Sequence, residues 1–243
     1  MKRRTFLKAA ATFSAVSVLT PSLTFANEEK NPFGITKKPR KFEVKNSYNF
    51  EQSKEITQLW IPLPKDEDYQ KVVSFKYDGN FSEAKIVKNP YNTRVLYVKW
   101  NDANIKPILD VNFGVIMQER TTDFSKATSN TNYPSEVLEF LEGTKHIPIT
   151  KGLTAYVNDI TKDSKTPLQK AQAIYDWTVS TMYRDESVIG CGIGDAQKSI
   201  EEKIYGGKCT DISSVFVCLL RNAKIPARET FGIRVGQSKI SNA

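Results

Sequence analysis

The hydrophobic pattern of this chain changes its period once, and that change divides it in two. From Phe42 apolar residues alternate with polar ones: Phe42, Val44, Tyr48 and Phe50, then Leu59 and Ile61, then Val73, Phe75 and Tyr77. The alternation returns at Val95 and Tyr97, with Leu96, Val98 and Trp100 on the opposite face, and again at Leu109, Val111, Phe113 and Val115. Successive side chains of a strand point to opposite faces, so a period of two predicts strands, and apolar residues on both faces predict strands covered on both sides. Asp78-Gly79-Asn80 and Asn89-Pro90-Tyr91-Asn92 supply turn chemistry between them. Five or six short strands at this spacing predict a small antiparallel β-sandwich over 42–120, with no residue in it suggesting chemistry.

Residues 121–133, TTDFSKATSNTNY, are polar and unpatterned and read as a linker; beyond Pro134 the apolar spacing lengthens to three or four. The clearest helix start is Thr166-Pro167-Leu168-Gln169, with a hydroxyl at the N-cap, a proline at the first helical position and a Gln at N3 to close a capping box. That helix is expected to run to about Met182 and to bury Leu168, Ala171, Tyr175, Val179 and Met182. A second short helix is expected after Asp195, ending at Gly206, where the Gly-Gly pair supplies the left-handed backbone of a C-terminal cap. A third covers Cys209 to about Asn222, with Ile212, Val215, Phe216, Leu219, Leu220 and Ala223 on one apolar arc and Cys209 at its edge, on the first turn.

The first 26 residues differ from the rest. KRRTFLK opens the chain, Ala9 to Pro21 carries no charge, and Thr24-Phe25-Ala26 closes it, the layout of a cleaved export signal. Arg3, Arg4, Phe6, Leu7 and Lys8 resemble the twin-arginine motif, which implies a periplasmic address. The apolar stretch is about half the ~20 residues needed to span a bilayer, so no stable membrane insertion is expected after cleavage. Removing the signal lowers the formal charge from +8 to +4, too mild a balance to imply nucleic acid. Residues 27–41 hold Pro32, Gly34, Pro39 and a basic run at Lys37, Lys38, Arg40 and Lys41, and read as a flexible, solvated leader.

Cys209 is the residue most suited to chemistry. Unsatisfied backbone N–H groups and the helix dipole at an N-terminus stabilise an anion, which favours the thiolate form that acts as a nucleophile. The preceding Gly206 and Gly207 allow backbone and substrate to approach, and the N–H of Cys209 can donate to a developing oxyanion. Against this stands the ordinary reading of a cysteine as a small buried residue. Cys209 and Cys218 are nine residues apart, about 13.5 Å along a helix, too far to pair, whereas Cys191 in CGIGD is free to bridge either one in an oxidising compartment. No C-x-x-C or H-x-x-x-H spacing accompanies the three cysteines and His146, so neither a metal nor another cofactor is expected.

GGKCTDISSVFVCLLRNAKIPARETFGIRVG resembles the core of the transglutaminase-like superfamily, with a Gly-x-Cys at a helix start, an Arg near the helix end, and IPAR leading to a strand. AQAIYDWTVSTMYRDES is similar to the helix ahead of that family's nucleophile, and LWIPLP to the N-terminal sandwich of its bacterial members, so about 200 residues are covered. The resemblance implies an N-terminal antiparallel β-sandwich followed by a papain-like α+β core over 134–243, in which a Cys attacks a carbonyl, a later His carries the proton and an Asp orients the His. Only Cys209 matches a catalytic position. The chain ends 34 residues beyond it with no His in between, and the one histidine, His146, precedes it. The family member expected is therefore a truncated one, lacking the His and the Asp. Arg228, in IPAR, is expected to fix its loop through an ion pair or hydrogen bonds.

The expectation is an exported protein related to cysteine enzymes that act on peptide, amide or isopeptide carbonyls, inactive alone because the proton carrier is missing. Its partner would be a protein or peptide substrate, cell-wall peptide included. The alternative is a non-catalytic periplasmic module that binds peptide or cell-wall material; a third reading supplies the His from a separate chain. Without later strands to cover the Cys209 helix, Phe216, Leu219 or Leu220 would be left exposed.

Overall fold

The computed structural model describes residues 39–52, 55–89 and 93–233. The expected export signal over 1–26 and most of the leader over 27–41 lie outside the described residues, as does the chain after Ile233.

Six strands form the N-terminal unit: β1 (Arg40–Asn49), β2 (Thr57–Pro62), β3 (Gln70–Gly79), β4 (Glu83–Lys88), β5 (Arg94–Trp100) and β6 (Ile108–Met117). They pair antiparallel into two three-stranded sheets, in the orders β1-β6-β3 and β2-β5-β4. β5 and β6 are the central strands, which is why their alternation is the strictest: Leu96, Val98 and Trp100 face inward from one, Leu109 and Val111 from the other, all fully buried and packed with the nearly buried Ile61. The polar end of Trp100 is not left unsatisfied, since its indole N–H donates to Asn80 Oδ1 at 2.9 Å. The same oxygen accepts the Ile108 amide at 2.8 Å, tying the turn after β3 to the start of β6. Gly79 is required beside it, because a Cβ there would lie 2.2 Å from the Ile108 carbonyl oxygen.

After a single helical turn at Ser135–Leu138, four longer helices follow among the described residues: α1 (Lys151–Ile160), α2 (Pro167–Thr181), α3 (Ala196–Glu201) and α4 (Cys209–Asn222). α2 begins at the expected capping box, Thr166 Oγ1 accepting the Gln169 amide at 3.2 Å while Gln169 Oε1 accepts the Thr166 amide at 3.2 Å. Its buried face differs from the expected one. Ile174 and Thr178 are the buried residues, whereas Leu168, Tyr175 and Val179 are exposed. The hydroxyl of Thr178 donates to the Ile174 carbonyl at 2.8 Å, so a polar residue is buried within its own helix at little cost, and the Tyr175 ring packs edge-on against Phe216 from the outside.

α3 also stops earlier than Gly206. Lys203 takes the left-handed backbone after it, with φ 57°, and the glycines form instead a two-residue strand β8 (Gly206–Gly207) parallel to β7 (Tyr183–Arg184). The physical reason is close packing: a Cβ on Gly206 would lie 2.8 Å from the Tyr183 ring.

α4 is the centre of the second core. Val215, Val217, Cys218, Leu219 and Leu220 are all buried, against Leu153 and Val157 of α1 and Ile174 of α2. The expectation that Leu219 or Leu220 stands exposed is thus corrected: the helices and the 225–227 segment cover them, and Phe216 is partly buried against the same cluster. Arg221, also buried, holds that segment in place, its Nε donating to the Ala227 carbonyl and its Nη1 to the Glu142 carbonyl, each at 2.7 Å. Arg228 makes an ion pair, as expected, and its partner lies outside its own loop. It reaches the sandwich, pairing with Glu67 at 3.0 Å while its guanidinium lies 5.4 Å from the Phe140 ring centre.

The hydrogen bond from Arg228, opposed in part by burial, holds the Glu67 carboxyl below its ordinary value of 4.5. A folded carboxyl that is the stronger acid contributes stability that is complete above the unfolded value and lost as the pH falls through the folded one. Glu67→Gln is therefore expected to lower unfolding free energy by about 1 kcal/mol at neutral pH, discounted for partial exposure of the pair, with the deficit closing at acid pH. Urea titrations of both forms at two pH values check this; a deficit of constant size would rule out the ion pair as its cause.

Candidate active site

Because most of the body of α4 is buried, with Phe216 only partly so, its first turn is anchored while its end opens to solvent. Cys209, the first residue of that turn, is exposed. Lys208 precedes it at the N-cap position in extended conformation, and a lysine side chain offers no acceptor to the turn. The acceptor comes from Asp211, whose Oδ2 takes the Lys208 amide at 2.9 Å. The Thr210 amide donates to the Cys191 carbonyl at 3.3 Å, and the Cys209 amide has no partner among the described residues. An unpaired N–H beside an exposed sulfur at the positive end of a helix is the arrangement that receives a developing oxyanion.

The other oxygen of Asp211 reaches the loop before α3. Oδ1 accepts the Ile193 amide at 2.9 Å and the Gly194 amide at 2.8 Å, so one carboxylate joins the nucleophile's turn to a segment 17 and 18 residues upstream. That loop wraps the carboxylate closely enough to need glycine: Gly192 has φ +91°, and a Cβ there would lie 2.0 Å from Asp211 Oδ2. Gly207 approaches from the other side, where a Cβ would meet the Asp211 Cβ at 2.6 Å. The expectation that these glycines serve the approach of substrate is therefore incomplete, since Gly206 and Gly207 are already filled by Tyr183 and Asp211.

Charged groups border the sulfur. Pairing of β7 with β8 sets Arg184 opposite Gly207, and its guanidinium holds Glu186 through Nε at 2.5 Å and Nη2 at 3.3 Å. Lys208, whose side chain is 9% exposed, donates to the same carboxylate at 2.5 Å and to the Glu186 carbonyl at 3.3 Å. With two cations on it, Glu186 is pulled down to about 2, and Arg184 is raised in turn, mainly by Glu186 and in smaller part by Cys209.

The other residues singled out from sequence fall away from this point. Cys218 is buried, its thiol pushed up to about 12 by desolvation, its Sγ 3.5 Å from the Pro148 carbonyl oxygen. Cys191 is exposed and close to Cys209 through its backbone bond to Thr210; all three thiols are free. His146 is exposed, its carbonyl accepts the Ala196 amide at 3.1 Å, and no hydrogen bond links its ring to Cys209 among the described residues. Among those residues no three His, Cys, Asp or Glu side chains gather in a way that would hold a metal ion. Asp211, Arg184 and Glu186 were not foreseen. An acid three residues after an N-cap, in KCTD, was the available signal for the first.

Asp211→Ala removes the acceptor of three amides, and bonds to a charged acceptor are worth about 1.5–3 kcal/mol. The expected loss is about 2 kcal/mol in denaturant unfolding, with faster hydrogen exchange at Ile193, Gly194 and Lys208. Unchanged exchange at those amides would contradict the bonding described.

The sequence of the transglutaminase-like superfamily core matches residues 154–243. An uncharacterized protein of Haemophilus influenzae is 35% identical over 235 residues, which cover 93% of this chain and 64% of that protein. The chain therefore spans somewhat less than two thirds of that relative's length. Among solved structures, a "Putative Cysteine Protease" from Cytophaga hutchinsonii shares the fold with a TM-score of 0.63 at 16% identity, over 78% of this chain and 65% of that one. Residues 154–243, with Cys209 at the head of a helix among them, match the transglutaminase-like superfamily core within an α+β chain.

Proposed function

We propose that Cys209 is the nucleophile of an exported acyl-transfer domain that acts on peptide, amide or isopeptide carbonyls. The observation that carries this reading is the exposed sulfur on the first turn of a helix buried along its body, beside an amide with no partner among the described residues. In the reaction the thiolate adds to the carbonyl carbon, the oxygen takes the charge and is met by the Cys209 N–H, and collapse expels the leaving group to give a thioester. An amine must be protonated as it leaves, and water must be deprotonated to cleave the thioester. The sequence holds one histidine, His146, which lies upstream of Cys209. Residues 1–243 are thus proposed not to turn over amides alone, each unassisted proton transfer slowing the reaction by about 10²- to 10⁴-fold. The twin arginines and uncharged stretch of the first 26 residues support a periplasmic location, where peptide and cell-wall material are the available substrates.

An activated ester separates nucleophile from proton carrier, because nitrophenolate leaves without being protonated. p-Nitrophenyl acetate is expected to release about one equivalent of nitrophenolate in a burst, with the acetyl group found on Cys209 by mass spectrometry and little turnover afterwards. Cys209→Ala should abolish that adduct. Sustained amide hydrolysis by the chain alone would contradict the proposed inactivity, and the absence of an adduct on Cys209 would favour a peptide-binding module without chemistry.

A further inference from the structure

Arg184 is the cation beside Cys209 with donors still to give. A guanidinium carries five N–H groups, of which Glu186 takes one from Nε and one from Nη2, leaving three for Cys209 and for a ligand. Its side chain is 57% exposed, whereas that of Lys208 is 9% exposed and engaged with Glu186. The pairing of Arg184 with Gly207 brings it to the foot of the nucleophile's turn, two residues before Cys209, near enough that Cys209 adds to what holds the guanidinium charged. The acids nearby are already supplied with donors: Asp185 accepts the Ser187 amide and hydroxyl at 2.9 and 2.7 Å, and Asp211 accepts three amides. They weaken the positive field at the sulfur without competing for the free edge of Arg184.

Planar donors in a fork match a carboxylate in two-point contact, and Glu186 fixes the guanidinium's orientation from the opposite edge. We propose that Arg184 is a specificity-determining residue, which receives a free carboxylate of the substrate next to the carbonyl that Cys209 attacks. The domain would then select acyl donors of peptide type that bear an acidic side chain or a terminal carboxylate close to the scissile bond. This rests on Cys209 being the nucleophile.

The test uses two alkylating agents of similar size and different charge on the full chain, with adducts at each cysteine resolved by mass spectrometry. The ratio of the iodoacetate rate to the iodoacetamide rate at Cys209 cancels thiolate fraction and intrinsic nucleophilicity, and so reports attraction for a carboxylate. Arg184→Gln is expected to lower the ratio about fivefold at low salt, Arg184→Lys less, and Glu186→Gln to raise it about twofold, with high salt compressing all of these differences. A ratio unmoved by Arg184→Gln overturns the proposal, even where both rates fall together, because that pattern belongs to an arginine that acts only on the thiol. Equal labelling of Cys209 and Cys191 by the neutral reagent would instead count against Cys209 as nucleophile, and the ratio would still decide the role of Arg184.

Discussion

One carboxylate holds the site together. Asp211 is tied by backbone amides to its own helix turn and to a loop 17 and 18 residues away, and among the described residues the two segments are otherwise joined by the bond from Thr210 to Cys191. Amides of an N-terminal turn are positive ends of aligned dipoles, and a carboxylate placed among them is stabilised where an uncharged acceptor would be less so. The consequence for function is that the first turn of α4 cannot fray, so the sulfur of Cys209 and its amide keep a fixed relation to anything bound in front of them. Three amides are spent on Asp211, one on Cys191, and the one at Cys209 is left to a ligand.

That turn is only as rigid as what lies behind it. Val215, Cys218 and Leu219 bury the body of α4 against α1 and α2, and Arg221 crosses the core to hold two carbonyls from distant segments. The sandwich takes part in neither arrangement. Among the described residues Arg228 and Glu67 link it to the segment directly after the nucleophile's helix, with Phe140 beneath the guanidinium. Electrostatics therefore act at two scales, an ion pair at the junction and a three-charge cluster of Arg184, Glu186 and Lys208 at the site.

Much of this was legible where the determining interactions are local. Alternation in 95–100 and 109–115 reports burial on the two faces of a strand, and Thr166-Pro167-Leu168-Gln169 carries all the groups of its capping box, so β5, β6 and the start of α2 could be read directly. Cys209 at a helix start could be read for the same reason. The partners of Asp211, the pairing of Gly206–Gly207 with β7 and the bond from Arg228 to Glu67 depend on residues brought together by the fold, and no period encodes them. The face of α2 was misjudged because hydrophobicity alone ranks Val179 above Thr178, while a hydroxyl bonded to Ile174 buries as readily as a methyl. The exposure foreseen for Leu219 and Leu220 failed because helices, not strands alone, cover α4.

The central claim, that α4 presents a poised sulfur at its N-terminus, is met most directly by following iodoacetamide labelling of all three cysteines in one native sample at neutral pH. The account predicts Cys209 labelled about tenfold faster than Cys191, which is also exposed, and buried Cys218 last. Cys191 labelled as fast as Cys209 would show an ordinary exposed thiol and contradict it.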